Sequence, residues 1–326
     1  MTMKRVGLFF GGMSNEAEVS VLSAKNVVAN IDTSRFEIVP IFWDKDGDFR
    51  RVRDMDDRTG TVIAQSDFSD TFDIALPMMH GKFGENGVLQ AIFESRHVPY
   101  CGCRVLASAL CMDKVRFKTL LAGHDILQTR FVVIDRSDDV SDEKATWRES
   151  LRVFSFPLFV KPSNSGSSVG ITRVMDMAAL GSAIEEARKH DDTVLIEEGL
   201  VDFEEIEIAV LGNAKVTVSV PGRVKPSQEF YSYDEKYVID RAEFDIPAQL
   251  PENVVEDAKR LAERAYRLCG CEGFARVDLF VRDGRVYLNE INTLPGFTDI
   301  SMFPRLMQAS DIPYRDLITR IIELAH

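Results

Sequence analysis

The most constraining feature of this sequence is the stretch RVDLFVRDGRVYLNEINTLPG near its C-terminal end. Two runs rich in Val, Leu, Phe, Ile and Tyr flank the turn residues Asp283 and Gly284, a pattern that predicts a β-hairpin. Asp278, Glu290 and Asn292 interrupt these apolar runs. Because buried carboxylates are costly unless they are paired or bind a metal, the chain must fold so that these groups find partners.

The register of this hairpin decides whether its polar side chains meet. Side chains alternate along a strand, so Glu290 and Asn292 share one face, as do Arg276 and Asp278. A three-residue loop at 283–285 sets Asp278 opposite Glu290, with all four side chains on one face. Two carboxylates and an amide oxygen suit Mg2+, which in such sites also binds substrate phosphates. A solvated sheet face is the alternative interpretation.

The composition indicates an acidic, globular chain. Its 326 residues suggest two or three domains, and 45% hydrophobic with 28% charged residues argues against disorder. A net charge of -13 and a pI of about 5.0 disfavour nucleic acid and anionic membrane surfaces as partners, so we expect a cytoplasmic protein with a small-molecule partner. No apolar run approaches the ~18 residues of a membrane span, and no signal-peptide cleavage pattern is present.

The cysteines are odd in number, which favours reduced thiols in a reducing compartment. Their C-x-C pairs lie outside the usual spacing of zinc ligands, so we expect buried structural thiols. The five are Cys101, Cys103, Cys111, Cys269 and Cys271.

The predicted elements form three blocks. Strands RVGLFF, FEIVPIFW and TFDIALPMM alternate with the helix AEVSVLSAKNVVANI and predict a parallel α/β layer. Strands FPLFVKP and ITRVM around the loop SNSGSSVG form a small second block. From VLIEEGL onward the chain is β-rich, with a helix, the hairpin and the polar stretch GRVKPSQEFYSYDEKYVIDRAEFD, which is either a functional lid or disordered.

A phosphate-binding element is predicted at FVKPSNSGSSVG. Lys161 ends a buried strand, and the following loop offers amides and hydroxyls to an anion, although it is not a Walker A loop. In MDKVRFK, Lys114 and Lys118 share a helix face by their i,i+4 spacing. A flexible hairpin loop and a solvated helix face are the alternatives.

Eight motifs together resemble a known family. GGMSNEAEVS, HGKFGENG, MDKVRFK, FVKPSNSGSSVG, VLIEEGL, YDEKY, ARVD and LNEINTLPGFTDISMFP resemble, in order and over nearly the whole chain, the D-alanine-D-alanine ligases of the ATP-grasp superfamily. The resemblance implies a three-domain α/β fold with an α+β C-terminal part. Its domains are an N-terminal parallel-sheet domain (1–105), a central subdomain (106–196) and a C-terminal subdomain with the metal site and lid (197–326).

The resemblance also implies a reaction. ATP phosphorylates the carboxylate of one D-alanine, and the amine of a second attacks the acyl phosphate to give D-alanyl-D-alanine for peptidoglycan and the cell wall. Asp278, Glu290 and Asn292 are implied as ligands of two Mg2+ ions, for which Mn2+ could substitute. A homodimer is the implied assembly.

The resemblance also implies an ATP site at a further set of positions. Lys114 and Lys161 are implied to hold the α- and β-phosphates, and Lys236 in the polar stretch the γ-phosphate. Exposed carboxylates on an ordinary strand edge are the alternative for the adenine and ribose positions. These positions are Glu197, Glu198, Leu200 and Glu205.

The resemblance places the reaction centre at Arg276 and the backbone amide of Gly296, which are implied to form an oxyanion hole. Ser167 and Tyr237 are implied to link to Glu16 by hydrogen bonds and to fasten the glycine-rich loop and the lid. Such closure excludes water from the acyl phosphate.

The substrate contacts are implied at three positions. Glu16 binds the ammonium of the first D-alanine, His80 orients that substrate, and Ser301 binds the carboxylate of the second. For Glu16 the alternative is a helix N-terminus with a capping box of Asn15 and Glu18, and for His80 a structural role.

Two other functions stay open. A D-alanine-D-serine ligase would keep the same machinery, and a non-catalytic ATP-binding regulator would keep only the fold. The retained Arg276 and metal positions argue against the regulator. Asn86 departs from the family pattern HGxxGEDG, which has Asp there, and this leaves its role open.

Overall fold

The computed structural model describes residues 3–140, 146–166, 168–225 and 243–325. Within these ranges three β-sheets follow one another along the chain, with five, four and six strands. None of the described helices is both long and apolar enough to cross a lipid bilayer.

The first sheet has the order β4-β3-β2-β1-β5, and β1 runs parallel to both β2 and β5. The predicted parallel layer is therefore confirmed for these three strands. Its elements are β1 (Lys4–Gly11), α1 (Ala17–Asn30), β2 (Phe36–Trp43), β3 (Phe49–Arg51), β4 (Thr61–Ile63), α2 (Phe68–Thr71), β5 (Ile74–Pro77) and α3 (Val88–Ser95).

Strands β3 and β4 were not predicted, and they extend the sheet in antiparallel pairing. Strand β3 pairs with β2 in antiparallel fashion because the connection between them is short. The Asp44 carboxylate accepts hydrogen bonds from the N–H groups of Asp46 (3.0 Å) and Asp48 (2.9 Å) and so stabilises a tight turn. A connection of this length joins antiparallel strands only, since parallel neighbours need a crossover.

The second sheet is antiparallel, with the order β6-β9-β7-β8. Strand β9 spans the predicted domain limit at residue 196 and pairs with β6 and β7. The domain limits themselves stay a prediction. The elements of this part are α4 (Val105–Met112), α5 (Lys114–Ala122), β6 (Phe131–Ile134), α6 (Thr146–Leu151), β7 (Leu158–Pro162), β8 (Thr172–Val174), α7 (Leu180–Arg188) and β9 (Val194–Glu198).

The third sheet has the order β13-β12-β10-β14-β15, with β11 beside β10. Helix α8 packs on it through the fully buried side chains Ala258, Ala262 and Ala265. The elements are β10 (Glu204–Gly212), β11 (Val216–Val218), β12 (Gly222–Lys225), β13 (Glu243–Asp245), α8 (Glu252–Leu268), β14 (Phe274–Arg282), β15 (Arg285–Asn292), α9 (Met302–Gln308) and α10 (Tyr314–Glu323).

The hairpin of β14 and β15 corrects one prediction and confirms another. The predicted three-residue loop is wrong, because Arg282 pairs with Arg285 across a two-residue turn. Its residues Asp283 (φ 50°) and Gly284 (φ 71°) both have positive φ, as the tight turn favoured by the twist of a hairpin requires. Nevertheless Asp278 lies opposite Glu290, as predicted.

A β-bulge restores this facing. Leu279 pairs with Leu288, and the register then shifts by the extra residue Asn289. Leu288 and Ile291 are both buried, although they are three residues apart and would point to opposite faces of a regular strand. The bulge therefore lets both side chains reach the core while Glu290 stays on the polar face.

Two hydrophobic cores fix the first sheet. One is aromatic. In it the ring of Phe9 makes edge contacts with neighbouring rings, such as Phe72 (5.4 Å between ring centroids) and Phe93 (4.8 Å between ring centroids). The other joins side chains of β1, such as Leu8, to Phe274 on β14 and Phe303 on α9, which belong to the part of the chain that carries the third sheet. The first and third parts are thus packed on a common core, which fixes their loops relative to each other.

All five cysteines are buried and carry free thiols, which confirms the prediction of buried thiols. The Sγ atoms of Cys111 and Cys271 lie 4.0 Å apart within the core that α8 covers.

Candidate active site

A cavity of about 420 Å3 lies between the second and third sheets and is closed at one end by loops of the first. It has the size and mixed lining of a small-molecule site. It brings together twelve of the predicted residues: Glu16, His80, Lys114, Lys161, Glu197, Glu198, Leu200, Glu205, Arg276, Glu290, Asn292 and Gly296.

Five predicted residues are placed differently. Asp278 lies behind the cavity wall, where it contacts Arg276 and Asn292. Ser301 precedes α9, and its Oγ accepts a hydrogen bond from the N–H of Thr298 (3.0 Å) in a local turn. The remaining three, which are Ser167, Lys236 and Tyr237, lie outside the described residues.

Glu197 is the centre of a buried ion-pair network. Its Oε1 contacts Nζ of Lys118 at 2.8 Å and its Oε2 contacts Nζ of Lys161 at 2.5 Å, while the Thr129 hydroxyl donates a further hydrogen bond. Burial alone would raise the pKa of Glu197, but the two ammonium groups more than offset this and hold that pKa well below its usual range. Glu197 is therefore a fixed negative charge.

Lys118 is 3% exposed, so a solvated helix face is the wrong interpretation for this residue. Burial lowers the pKa of its ammonium group, and the Glu197 carboxylate opposes that effect. The i,i+4 spacing of Lys118 from Lys114 is the same on a buried and on an exposed face, so it did not predict that Lys118 is buried against Glu197.

The loop after β7 is tied to the start of α5. The Asp113 carboxylate accepts from the N–H of Arg116 (3.0 Å) as an N-cap and also from the Ser163 hydroxyl (2.5 Å). The Lys114 ammonium donates to the backbone carbonyl of Ser165. The predicted phosphate-binding loop and its lysine are thereby held together at one end of the cavity.

Arg276 is clamped between carboxylates of two strands. Its Nε and one terminal nitrogen each donate to Asp278 at 2.7 Å, and its Nε lies 3.0 Å from Oε2 of Glu207. Asn292 Nδ2 donates to Asp278 at 2.9 Å. The guanidinium is therefore preorganised at the cavity wall by charged partners on both sides.

Glu207 was not predicted as a site residue. It lies directly opposite Asp278 in the pairing of β10 with β14, and it is 8% exposed. The signal was available, because EEIEIAV alternates and places Glu205 and Glu207 on the same face of one strand.

The donor set suits Mg2+ that arrives with a nucleotide. In the part of the chain that the structure describes, no group of three or more His, Cys, Asp or Glu side chains is arranged to hold a metal alone. Mg2+ commonly binds one or two carboxylates and completes its shell with water and substrate phosphates. Asp278 and Glu290, with the amide oxygen of Asn292, supply such a partial set.

At the opposite end of the cavity, Glu16 is buried beside the HGKFGENG loop. Gly81 has φ +70°, and a Cβ at that position would collide with the Glu16 carboxylate, so glycine is needed there. Glu16 is the N-cap residue of α1, as the helix N-terminus alternative expects, but its side chain makes no capping hydrogen bond, and Glu18 accepts two hydrogen bonds from Arg58 (2.9 and 2.8 Å). The Glu16 carboxylate is thus available at the cavity wall.

Glu85 was also missed, although it belongs to the quoted motif. Its carboxylate accepts from the N–H of Gly81 (2.8 Å) and of Leu294 (3.3 Å). Burial and the nearby Glu16 carboxylate raise the pKa of Glu85 to about 8. Burial lowers the pKa of the neighbouring His80. Asn86, which departs from the family pattern, accepts from the N–H of Val88 at the start of α3 (3.4 Å).

The apolar walls of the cavity were not predicted either. Phe159 lines it, and Phe203 and Phe280, which also line it, pack edge to face at 4.8 Å between ring centroids. Apolar surfaces beside the Glu197 network suit a flat aromatic base. Sequence alternation alone marks such residues as core, so only the fold reveals that they face a cavity.

Comparison with known proteins gives the same result for both halves of the chain. A family profile described as the D-ala D-ala ligase N-terminus matches residues 5–103, and one described as the D-ala D-ala ligase C-terminus matches residues 120–323. A D-alanine--D-alanine ligase of Caldicellulosiruptor bescii is 43% identical and covers 100% of this chain and 96% of its own length. One of Chlorobaculum tepidum is 39% identical, with 100% and 97% covered.

Solved structures resemble the whole chain as well. The VanG D-Ala:D-Ser ligase from Enterococcus faecalis has a TM-score of 0.87 at 33% identity, with 99% of both chains covered. The D-alanine-D-alanine ligase from Coxiella burnetii has a TM-score of 0.86 at 31% identity, with 99% of this chain and 94% of that one covered. A Bacillus anthracis D-alanine--D-alanine ligase complexed with ATP has a TM-score of 0.79 at 29% identity, with 98% and 97% covered.

Proposed function

The chain belongs to the D-alanine-D-alanine ligase family, and from this premise we propose that it joins two D-alanines into D-alanyl-D-alanine with ATP as the phosphoryl donor. The product serves as a precursor for peptidoglycan and the cell wall. The observation that carries the proposal is the convergence of three different kinds of group on one cavity. Lysines at the phosphate loop, the hairpin carboxylate Glu290 and the buried Glu16 all reach it.

Two steps account for all atoms. An oxygen of the first D-alanine carboxylate attacks the γ-phosphorus of ATP, and the bond from that phosphorus to the ADP oxygen breaks. The amine of the second D-alanine, after losing a proton, attacks the acyl carbon of the resulting acyl phosphate. The nitrogen gives up a second proton as the peptide bond forms, and inorganic phosphate leaves with the electrons of the broken C–O bond.

For ATP, we assign the phosphates to Lys114 and Lys161. Both lysines lie at the cavity end where the loop after β7 meets α5. We assign the adenine to the apolar wall beside Glu197, and the ribose to Glu205. Glu198 and Leu200 complete this end of the cavity.

The metal is assigned to the hairpin face, on Asp278, Glu290 and Asn292. Mg2+ bound there would neutralise charge on the nucleotide phosphates. The bulge supports this assignment, because it keeps Asp278 and Glu290 opposite each other.

The reaction centre is assigned to Arg276 and the amide of Gly296, as donors to the oxygen of the tetrahedral intermediate. Preorganised donors of this kind stabilise a transition state by roughly 3 kcal/mol each. The clamp of Asp278 and Glu207 on the guanidinium supports the assignment, since it fixes Arg276 before substrate binds.

Glu16 and His80 are proposed to bind and orient the first D-alanine, and Ser301 to bind the carboxylate of the second. The lid assignments of Ser167, Lys236 and Tyr237 rest on the sequence resemblance. We further propose that the enzyme works in the cytoplasm, which its five buried free thiols support. A homodimer is also proposed, and light scattering of the purified protein tests it.

The deciding experiment incubates the enzyme with ATP, Mg2+ and D-alanine at pH 7 to 8 and identifies the product by mass spectrometry. We expect D-alanyl-D-alanine and equimolar phosphate. Glu290→Gln should abolish turnover and keep the fold, because it removes one negative ligand and leaves the apolar face of the hairpin unchanged. Asp283→Asn is the matched control on the same hairpin, since its side chain is 85% exposed and Asn tolerates positive φ. Normal activity of Glu290→Gln would overturn the metal assignment.

A second candidate is D-alanine-D-serine ligation, which the likeness to the VanG structure favours. An added hydroxyl is rejected only weakly by an apolar pocket, so the two activities must be separated by competition. Equimolar D-alanine and D-serine with ATP should give mainly the D-alanine dipeptide. D-lactate in the same assay should give little ester at neutral pH, because the proposed site accepts an amine nucleophile.

A further inference from the structure

The segment Leu294–Phe297, which carries Gly296, is held by side chains from the first part of the fold. The N–H of Leu294 donates to Oε1 of Glu85 at 3.3 Å. The carbonyl of the same residue lies 2.9 Å from Nδ1 of His80. The backbone beside the proposed oxyanion donor is thus bound through both a donor and an acceptor.

Ser23 on α1 continues this connection. Its Oγ accepts from the N–H of Phe297 (3.2 Å) and lies 2.9 Å from Nε2 of His80. Because the Leu294 carbonyl can only accept, Nδ1 of His80 carries the proton and Nε2 accepts from the Ser23 hydroxyl. Asn26 on the same helix donates to the carbonyl of Phe297 (3.1 Å).

The bonds between Ser23, His80 and the segment are buried. Ser23 is 0% and His80 4% exposed, so water competes little for their hydrogen bonds and each bond constrains geometry strongly. Pro295 adds a fixed φ within the segment. The amide of Gly296 is therefore placed by anchors on either side of it. Those from Glu85, His80, Ser23 and Asn26 come from more than two hundred positions earlier in the chain, and the Tyr314 hydroxyl adds a hydrogen bond to the Phe297 carbonyl (2.5 Å).

We propose that Glu85 and Ser23, acting with His80, are positioning residues that aim the Gly296 amide at the tetrahedral centre. The inference rests on the proposed function and extends it, because it makes the oxyanion donor of the third part dependent on the first. Neither residue needs to touch the nucleotide. They act by fixing the position of the Gly296 N–H, which donates a hydrogen bond in the transition state.

This role predicts a specific kinetic effect. A donor that acts on the developing oxyanion contributes to kcat, whereas ATP is held by lysines and apolar walls that these residues do not contact. A displacement of about 1 Å at a reaction centre can lower the rate on the order of a hundredfold. Loss of an anchor should therefore lower kcat and leave KM for ATP nearly unchanged.

Ser23→Ala and Glu85→Gln are the test variants. Ser20→Ala is the matched control, because Ser20 lies on the same helix, is also 0% exposed and makes two hydrogen bonds to backbone. Its Oγ accepts from the N–H of Gly11 (2.8 Å) and donates to the carbonyl of Met78 (2.6 Å), both within the first part of the fold. The two serine variants should lose similar thermal stability.

We expect Ser23→Ala and Glu85→Gln to lower kcat tenfold or more with KM for ATP within about twofold of the parent, while Ser20→Ala keeps kcat within about twofold. Amide hydrogen exchange supplies a readout without turnover. The peptide that contains Leu294 and Phe297 should exchange faster in Ser23→Ala and not in Ser20→Ala.

The outcomes separate the two proposals. If the parent enzyme forms no dipeptide, the proposed function fails, and the exchange measurement still reports on the anchors. If the parent is active and the two serine variants lose kcat equally, or if Leu294–Phe297 exchanges at the parent rate in Ser23→Ala, the positioning role is overturned. Glu85→Gln keeps the test valid should Ser23→Ala fold poorly, since it preserves the shape of the side chain.

Discussion

At the scale of single residues, burial decides which charges of this protein are structural. Lys118 and Lys189 are both lysines in ion pairs with glutamates, with Nζ–Oε distances of 2.8 and 2.5 Å. The side chain of Lys118 is 3% exposed and that of Lys189 66% exposed. An exposed pair is screened by water and contributes little to stability, whereas removal of Lys118 takes one of two ammonium partners from the buried Glu197 carboxylate.

We therefore expect Lys118→Ala to lower the free energy of unfolding by about 3 kcal/mol, and Lys189→Ala by less than about 0.5 kcal/mol. Urea unfolding of the two variants beside the parent measures both values. Equal effects of the two substitutions would contradict the buried network around Glu197.

Glu85 makes stability depend on pH. Its pKa rises from an ordinary value of 4.5 to about 8 in the folded protein, mainly through burial and then through Glu16. The folded state therefore binds this proton more tightly than the unfolded chain, so the contribution to stability is present at low pH and is lost as pH rises from about 4.5 to about 8. Arg276 opposes the rise in pKa, as do the N–H donors of Gly81 and Leu294.

In Glu85→Gln this titration is absent. Between pH 5 and pH 8 the parent should lose roughly 3 kcal/mol of unfolding free energy relative to the variant, because a tenfold difference in proton affinity between the folded and unfolded states corresponds to about 1.4 kcal/mol. Urea unfolding of both proteins at several pH values measures the difference. Parallel curves would show that Glu85 does not titrate in this range.

At the scale of elements, the hairpin shows how a strand serves a core and a site at once. Val286 and Leu288 are buried at even positions of β15, and Ile291 is buried at an odd one. The change of phase lies between Leu288 and Ile291, where the extra residue Asn289 is accommodated. This phase change is visible in the sequence and would have predicted the bulge in place of a longer loop.

A pair of deletions tests the bulge. Removal of Asn289 leaves Leu279 opposite Leu288 and Asp278 opposite Glu290, so the unfolding free energy should fall by no more than about 1 kcal/mol. Removal of Tyr287 shifts Asn289 toward the core and Leu288 toward the polar face, which should cost at least about 3 kcal/mol from lost burial and an unsatisfied amide. Thermal or urea unfolding compares the two, and the reverse order of stability would refute the assigned register.

At the scale of the whole molecule, the candidate site depends on all three sheets. The phosphate loop follows β7, Arg276 and Glu290 lie on the hairpin, and Glu16 with the HGKFGENG loop comes from the first part of the fold. The first and third parts share a core, whereas the cavity separates the second sheet from the third. A ligand that fills this cavity contacts both walls and should hold them together.

We accordingly expect a non-hydrolysable ATP analogue with Mg2+ to stabilise the protein by about 2.7 kcal/mol at a hundred times its Kd. A chelator should remove most of this gain, because the hairpin carboxylates would then face the phosphates without a cation between them. Differential scanning calorimetry with and without the chelator checks the expectation. Equal stabilisation without Mg2+ would argue against a metal at Asp278 and Glu290.

The sequence by itself determined the strands and helices of the parallel core, the hairpin with its turn residues Asp283 and Gly284, and most of the predicted residues that line the cavity. These follow from local periodicity and from motifs whose order along the chain is specific to one family. The short antiparallel strands β3 and β4 were not predicted, because three-residue strands carry almost no periodic signal.

Only the tertiary structure decided what the side chains of the site face, whether they are polar or apolar. Lys118 has the same helical spacing whether it meets water or Glu197, and Phe159 has the same strand pattern whether it meets a core or a cavity. The bonds of Ser23, His80 and Glu85 to Leu294–Phe297 join positions more than two hundred residues apart. Local sequence carries no information on such contacts, because they depend on how whole sheets pack against one another.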